Sequence, residues 1–406
     1  MRTFRGSFMD TEGERKKTMT ERLYEKDPYC REFQGRVLSC EPAGEEYEAV
    51  LDRTCFYPEG GGQPGDRGIL VTAGAEEEQI PVLDTTERDG KIYHRVGRQL
   101  KPGTEIRGCI CWERRFDLMQ NHSGEHIVSG LIHRKFGYHN VGFHMGSDLL
   151  TIDLDGEITQ EEMRQLEQEA NEAVWQDKPL DIRVYSETEV KNLEYRSKKE
   201  LHGQVRIVTI PGTDVCACCG THVARTGEIG LIKLVSLEKF RKGVRIEMLC
   251  GGRALAYLNR IWDQNHQVSV ALSAKPMETG EAVEKLKENQ AASSYRVMEL
   301  ENLLFEKKAE ELKGAGNVLL FEKGLNPEGV RRLAVAVMET CGGRCAVFSG
   351  NDADGYKYAL GEKEGDLRSF VKEMNQQLNG RGGGKPFFAQ GSLSASRQEI
   401  EMFFKK

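Results

Sequence analysis

Short apolar runs alternate with glycine, proline and aspartate turns between about residues 20 and 110. The runs include GRVLSCE, YEAVLDRTCFYP, GILVTAG, QIPVLDTT and KIYHRVG. Strand-length runs separated by turn residues are typical of antiparallel sheets, so we predict a small antiparallel β-barrel over residues 19–110. Residues 1–18 are polar, charged and without periodicity, which predicts a disordered tail.

From about Phe116 the apolar pattern changes to a helical spacing. A second helix is expected to begin at Thr159, because Glu162 three residues later would complete a capping box. A charged helix is expected from Glu187 to about residue 203, and strands are expected over QVRIVTIPG, GLIKLVSLEKF and GVRIEMLCG. This mixture predicts an α+β domain over residues 111–262.

Residues 263–313 are predicted to form a helical linker, because a long stretch within them has high helical propensity and no glycine. Its apolar positions follow a 3-4 spacing, but Gln290 and Ser293 interrupt the row, so a dimerising coiled coil is only weakly favoured. Residues 314–406 alternate strand with helix and predict a separate small α/β domain. The expected fold class is therefore α+β, with a barrel, a central domain, a helical linker and a C-terminal α/β domain.

The net charge of −7, from 57 basic and 64 acidic residues, excludes a protein that binds nucleic acid through overall positive charge. Local basic segments at 195–206, 238–245 and 379–385 could still contact nucleic acid, although each by itself is more typical of a solvated surface. No apolar stretch is long enough for a membrane span and no secretory signal is present, so we expect a soluble cytoplasmic protein without a membrane partner.

The eleven cysteines are odd in number, scattered, and locally clustered at Cys216, Cys218 and Cys219. This distribution favours metal binding with reduced cysteines elsewhere over a disulfide framework.

Two pairs of side chains suggest one metal site. His122 and His126 are four residues apart on a predicted helix and therefore share a face. Cys218 and His222 have the same spacing and add a thiolate and a third imidazole, which is a zinc-type donor set. The alternative is a buried histidine on a core face with unrelated turn cysteines.

Several longer motifs occur in an order that resembles a known family. TCFYPEGGGQPGDRG, NHSGEHIVSG, CCGTHVARTGEIG and KGVRIEMLCGGRAL resemble the editing domain of alanyl-tRNA synthetases and the free-standing AlaX proteins. NGRGGGKPFFAQGS resembles the signature of the small domain that these synthetases share with DHH-type phosphoesterases. The chain after Met19 thus resembles a long-form AlaX protein, a trans-editing alanyl-tRNA deacylase.

This resemblance implies a ligand set, a partner and a reaction. The implied Zn2+ ligands are His122, His126, Cys218 and His222, with Cys219 as a competing ligand and no family role for Cys216. The implied partner is tRNA, contacted at its aminoacylated 3′ end and acceptor stem. The implied reaction is hydrolysis of the 3′ ester of alanine tRNA mischarged with serine, with glycine as a second candidate substrate.

The chemistry of the site leaves two questions open. Four protein ligands would close a tetrahedral shell, so zinc is expected to position the substrate rather than to activate water. Gly60, Gly61 and Gly62 are expected to bring backbone close to the substrate, and Gln63 to orient water. The alternative for this segment is a hairpin turn without a catalytic role.

His144 is a candidate proton carrier or substrate contact, and Thr151 a candidate pocket residue. In the C-terminal domain Arg381 and Lys385 are expected to contact sugar-phosphate, and this region is the expected place of a homodimer contact. The glycines beside them do not form a Walker loop, because Pro386 stands where serine or threonine is required.

Two other functions remain as alternatives to the deacylase. The first is a non-catalytic tRNA-binding protein with structural zinc. The second is a zinc peptidase, which is disfavoured because Ser123, and not glutamate, follows the first histidine of the helix.

Overall fold

The structure, a computed structural model, describes residues 20–73, 77–197 and 203–405. The chain divides into two compact units, with the boundary between Gln264 and Asn265. The tail predicted for residues 1–18 lies outside the described residues. Among the described residues, no helix combines the length and the apolar character needed to cross a membrane.

The first unit begins with a closed antiparallel barrel, as predicted. Its six strands follow the order β2-β3-β7-β6-β5-β8 around the barrel, and alternate side chains such as Val37, Leu51 and Leu70 fill the interior. A short parallel pair, β1 with β4, lies outside the closed ring. The elements are β1 (Glu21–Arg22), α1 (Leu23–Lys26), β2 (Glu32–Ala43), β3 (Glu46–Leu51), β4 (Arg53–Thr54), β5 (Gly68–Thr72), β6 (Gln79–Arg88), β7 (Lys91–Val96) and β8 (Glu105–Ile110).

A disulfide closes the start of the barrel, between Cys30 and Cys55. The expectation that every cysteine outside the metal site is reduced is therefore wrong for this pair. The segment before β2 and the segment after β4 bring the two Cα atoms to 6.0 Å, which is within the range that a disulfide spans. The other nine cysteines are free.

The rest of the first unit packs one long helix against two sheets. The four-stranded sheet has the order β14-β15-β10-β9 and the three-stranded sheet the order β11-β12-β13. Helix α2 fits tightly, because a Cβ at Gly130 would lie 2.5 Å from the carbonyl oxygen of Thr213. The elements are α2 (Trp112–Phe136), β9 (Asn140–Met145), β10 (Leu150–Leu154), α3 (Gln160–Trp175), β11 (Asp181–Tyr185), α4 (Glu187–Val190), β12 (Val205–Ile210), β13 (Asp214–Ala217), β14 (Ile232–Phe240) and β15 (Gly243–Cys250), with a 3₁₀ turn at Thr226–Ile229.

Two helices of this region, α3 and α4, can be compared with the predictions. The capping box between Thr159 and Glu162 is present at the start of α3, as predicted. The charged helix predicted from Glu187 to residue 203 is wrong in length, since α4 ends at Val190. The chain then turns back, and Arg196 forms a bridge with Cys216 beside β13.

The second unit is a mixed sheet covered by helices. Its five strands have the order β16-β17-β18-β20-β19, in which only the β16–β17 pair is parallel. Helix α5 crosses the unit boundary, and α6 extends through most of the predicted linker. The elements are α5 (Gly251–Leu272), α6 (Thr279–Glu311), β16 (Gly316–Glu322), α7 (Pro327–Cys341), β17 (Gly342–Asn351), β18 (Gly355–Glu362), α8 (Arg368–Gln377), β19 (Gly380–Lys385), β20 (Phe388–Leu393) and α9 (Arg397–Phe404).

Candidate metal centre

The structure brings the four predicted ligand side chains into one buried cluster. His122 and His126 come from α2, and Cys218 and His222 from the segment that follows β13. One donor atom from each side chain lies within 4.8 Å of those of the other three. The three imidazoles are almost fully buried, and their centroids are 4.5 to 5.3 Å apart.

His122 is held from the barrel by Gln63. Gln63 Oε1 lies 2.9 Å from His122 Nδ1 and also accepts a hydrogen bond from the Thr221 backbone N–H at 3.1 Å. Gln63 Nε2 donates to Thr221 Oγ1 at 2.8 Å. Since a backbone N–H can only donate, the atom beside it must be the amide oxygen, and His122 must carry its proton on Nδ1. His122 Nε2, 3.5 Å from Cys218 Sγ, is then the nitrogen that remains for an ion.

His126 is held by a buried carboxylate. Its Nδ1 lies 2.9 Å from Asp214 Oδ2, and an ionised carboxylate only accepts, so the proton again sits on Nδ1. Arg196 forms two hydrogen bonds with Asp214, at 2.7 and 2.8 Å. The bidentate pair fixes the carboxylate, and the carboxylate fixes the imidazole.

His222 carries the clearest sign of a missing partner. Its Nδ1 lies 3.3 Å from Ser123 Oγ, while its Nε2 is buried without a hydrogen-bond partner. A buried unpaired ring nitrogen is costly unless something binds it. Three imidazoles held at Nδ1 and one thiolate form a donor set that fits a zinc-type ion.

The electrostatics of the cluster fit the same interpretation. Burial would raise the pKa of the Cys218 thiol, but the imidazoles of His122 and His222 hold it well below its ordinary value, so it is a thiolate. Burial lowers the pKa of His222 to about 3, so this imidazole is neutral. Burial also disfavours charge on His126, but the hydrogen bond to Asp214 outweighs it and raises the pKa of His126 well above its ordinary value. A cation entering the site would displace that proton.

The two neighbouring cysteines do not belong to the four-residue cluster. Cys216 lies close to His126 and Asp214, but burial raises its pKa to about 11, so it remains a thiol. The carboxylate beside it is already occupied by Arg196. Cys219 is exposed, and Cys218 is the cysteine that meets the histidines.

Residues 60–63 form a tight turn, the structure expected of a hairpin. This turn lies beside the four-residue cluster, because Gln63 contacts His122. Gly60 and Gln63 exchange backbone hydrogen bonds of 3.0 Å in both directions. Gly62 has φ of +86°, and a Cβ on it would lie 2.3 Å from Phe143 Cδ1. Phe143 in turn stacks on the His122 ring at 5.4 Å. Gly61 and Gly62 are exposed, so the tip of the turn is open to a ligand.

The structure does not bring His144 and Thr151 to the cluster. They are direct neighbours across β9 and β10, and directly opposed residues share one face of a sheet. Phe143, which precedes His144 and contacts His122, occupies the other face because successive side chains alternate. His144 and Thr151 therefore lie on the face of this sheet opposite to Phe143, and their roles as proton carrier or substrate contact and as pocket residue stay predictions.

Arg381 and Lys385 lie on strand β19 of the second unit. Lys385 lines a cavity of about 320 Å³ between α8 and β19, together with Arg368, Lys372 and the three glycines at 382–384. Arg381 is exposed but is not among the residues that line this cavity. The basic character expected here thus comes partly from α8, which the sequence analysis did not include.

The residues that hold the histidines were not predicted from the sequence; they are Ser123, Asp214, Arg196 and Thr221. A usable signal exists for them, because a metal-bound histidine normally donates its second ring N–H to a carboxylate, carbonyl or hydroxyl. A search for such acceptors would have found Asp214, which lies four residues before Cys218. It would not have shown which histidine Asp214 holds.

Comparison with known proteins agrees with this architecture. Three family profiles match: "tRNA synthetases class II (A)" over residues 30–114, "Threonyl and Alanyl tRNA synthetase second additional domain" over 205–247, and "DHHA1 domain" over 314–406. The barrel, the buried histidine and cysteine cluster and these matches define the class: a protein built from parts that are also found in alanyl-tRNA synthetases.

Individual relatives extend over the whole chain. Alanyl-tRNA editing protein AlaX-L of Pyrococcus horikoshii is 31% identical over 94% of this chain and 96% of its own length. Alanyl-tRNA editing protein Aarsd1-A of Xenopus laevis is 28% identical with the same coverage. Alanine--tRNA ligase of Halorubrum lacusprofundi is 33% identical over 92% of this chain but only 42% of that protein. The chain belongs to the alanyl-tRNA editing protein family, to which AlaX-L belongs.

Proposed function

We propose that this protein hydrolyses the 3′ ester of alanine tRNA that carries the wrong amino acid, with serine as the main substrate and glycine as the second candidate. The observation that carries the proposal is the full-length similarity to AlaX-L, 31% identical over 94% of the chain, together with the buried cluster that lies under an exposed glycine turn. The proposed partner is therefore tRNA, bound through its aminoacylated 3′ end and acceptor stem.

We propose Zn2+ as the ion that His122, His126, Cys218 and His222 hold. Zinc bound by these side chains would supply a fixed positive charge, and four protein ligands would reserve no position for a water molecule. We therefore assign the site to positioning of the substrate. The protein supplies the three imidazoles, the thiolate and the buried surroundings of the site.

The exposed tip of the glycine turn is the proposed contact with the tRNA terminus. Gly61 and Gly62 lack side chains, so backbone N–H and C=O groups can approach a ligand closely. Selection of serine requires a group that hydrogen-bonds its hydroxyl, because alanine then leaves that buried group unpaired. Glycine could be accepted only by a pocket that excludes the alanine methyl group.

The proposed reaction is tested with alanine tRNA charged separately with serine, glycine and alanine, with zinc measured on the same preparation. We expect the seryl ester to be lost fastest and the alanyl ester to persist. Cys218→Ala should abolish hydrolysis, whereas the matched Cys219→Ala should not. Binding of tRNA without ester loss would instead support a non-catalytic tRNA-binding protein.

We further propose that the ranges 19–110, 111–262, 263–313 and 314–406 act as domains and linker of a cytoplasmic protein, with Arg381 and Lys385 on sugar-phosphate. We also propose a homodimer through the C-terminal region. Helix α6 supports it, because apolar side chains such as Leu300 and Leu304 are 46% and 65% exposed. Light scattering in solution should give twice the chain mass, and Leu304→Glu should reduce it.

A further inference from the structure

Gln63 reaches from the barrel region to the four-residue cluster, and its contacts differ from those of a water-orienting amide. Its side chain is 0% exposed. Both ends of the amide are occupied: the oxygen by His122 and the Thr221 N–H, and the nitrogen by the Thr221 hydroxyl.

We propose that Gln63 is a positioning residue that fixes the ring orientation and tautomer of His122, so that the barrel completes the metal centre. This inference rests on the proposed metal site but not on the proposed reaction. The physical reason is that an imidazole binds metal through one nitrogen only when its proton sits on the other. Gln63 accepts that proton's hydrogen bond and leaves His122 Nε2 free for the ion.

The packing around Gln63 makes the amide position specific. A Cβ on Gly220 would lie 3.1 Å from Gln63 Oε1 and 2.1 Å from His122 Cε1, so this position must be glycine for the amide and the ring to meet. On the other side, the turn closes on itself through Gly60 and Gln63. The amide is thus held between the turn and the segment that carries Cys218 and His222.

A consequence is that the glycine turn and the metal centre are linked in both directions. Gln63 connects the turn to His122 by a hydrogen bond, and Gly62 connects it by packing on Phe143, which stacks on the same ring. An ion that fixes His122 therefore also restrains the turn. By linkage, a ligand that restrains the turn raises the affinity for the ion.

The test measures the zinc affinity of the metal-free 406-residue protein and of its Gln63 variants, by competition with a chromophoric chelator. Gln63→Met keeps the side-chain length but removes the acceptor, and we expect zinc to bind about 10- to 100-fold more weakly, the usual effect of losing such a partner. Gln63→Glu keeps two acceptor oxygens and should bind zinc within about threefold of the parent protein, since the acceptor geometry is retained. The Co2+ absorption spectrum of each variant reports whether the ligand geometry is kept.

A matched control separates positioning from general destabilisation. Thr54→Val removes a buried hydrogen bond to His94, 2.8 Å long, inside the same barrel. It should lower the unfolding temperature of the metal-free protein without changing zinc affinity. Hydrogen exchange at the backbone N–H groups of Gly60 and Gln63 should slow on zinc binding in the parent protein, and this slowing should be lost in Gln63→Met.

Two outcomes would overturn the proposal. The first is unchanged zinc affinity in Gln63→Met, and lost deacylation in that same variant would place Gln63 on the substrate. The second is an equal loss of affinity in Gln63→Glu, which would show that an acceptor oxygen at this position does not hold His122. Absence of deacylation in the parent protein would refute the proposed reaction and leave this test intact.

Discussion

Arg115 and Asp66 join the start of helix α2, which carries His122 and His126, to the segment of the glycine turn, and breaking this pair should be costly. Their side chains are 0% and 1% exposed. Arg115 Nε donates to Asp66 at 2.9 and 3.1 Å, and the guanidinium also donates to the carbonyls of Pro28 and Cys55 at 2.8 and 2.6 Å. Asp66 additionally accepts the backbone N–H of Tyr57 at 2.7 Å.

Arg115→Met removes the cation and leaves a carboxylate and two carbonyl oxygens buried without it. Removing one partner of a buried ion pair typically costs about 3–5 kcal/mol, because the remaining charge has no compensation. With about 2–4 °C per kcal/mol for domains of this size, the midpoint of unfolding should fall by roughly 6–20 °C. The hydrogen bonds to the carbonyls place the expected value in the upper half of this range.

The assay is urea unfolding followed by far-ultraviolet circular dichroism. The free energy of unfolding is taken from the transition whose midpoint differs between Arg115→Met and the parent protein. Arg115→Met combined with Asp66→Asn should be less destabilised than Arg115→Met alone, because the unpaired charge is gone. Arg107→Met is the control, since Arg107 is a half-exposed barrel arginine whose ion pair should contribute less than about 1 kcal/mol. A loss below about 1 kcal/mol for Arg115→Met would refute the reasoning from buried charge.

Three further predictions concern the metal site and the barrel. Cys218→Ser should bring bound zinc, measured by elemental analysis, close to zero, whereas Cys219→Ser should leave it unchanged. Gly220→Ala should also lose zinc, because the new methyl group would lie 2.1 Å from His122 Cε1; retained zinc would mean that the chain shifts without cost. Burial lowers the pKa of His94 to about 4, so its stabilising contribution is complete above about pH 6.5 and is lost as the pH falls toward 4. His94→Leu should therefore reduce the difference in unfolding free energy between pH 7.5 and 5.0 by about 2 kcal/mol, and an unchanged difference would contradict the assignment.

The barrel and the four-residue cluster were predictable because each leaves a local signature. Strand-length apolar runs between turn residues predicted the barrel. The four-residue spacing of His122 and His126 predicted that both rings lie on one helix face. The length of α4 was not predictable in this way. Its charged sequence has helical propensity, but the tertiary pairing of Arg196 with Asp214 requires the chain to leave the helix.

The role of Gln63 could not come from the sequence, since the sequence shows only that a glutamine follows three glycines. Water orientation was a reasonable hypothesis for an exposed amide in a turn. The amide is instead buried, because the turn packs against a segment that begins more than 150 residues later, and Gln63 and Thr221 are 158 residues apart. The face on which His144 lies could not be predicted for a similar reason, because the face of a strand residue depends on register.

The contacts that join the two ligand pairs to each other and to their partners are long-range, and this bears on when the centre forms. His122 meets Gln63 across 59 residues, His126 meets Asp214 across 88, and His122 meets Cys218 across 96. Closing such loops costs chain entropy that no local contact offsets. The donor set should therefore be complete only when the barrel, helix α2 and the two sheets of the first unit have assembled. An ion that needs this complete set binds the folded state far better than the unfolded chain and stabilises it by mass action. Zinc should therefore raise the unfolding temperature in a concentration-dependent way. Gln63→Met should weaken this dependence, whereas Thr54→Val, the control for stability, should keep it even if both variants have the same metal-free stability.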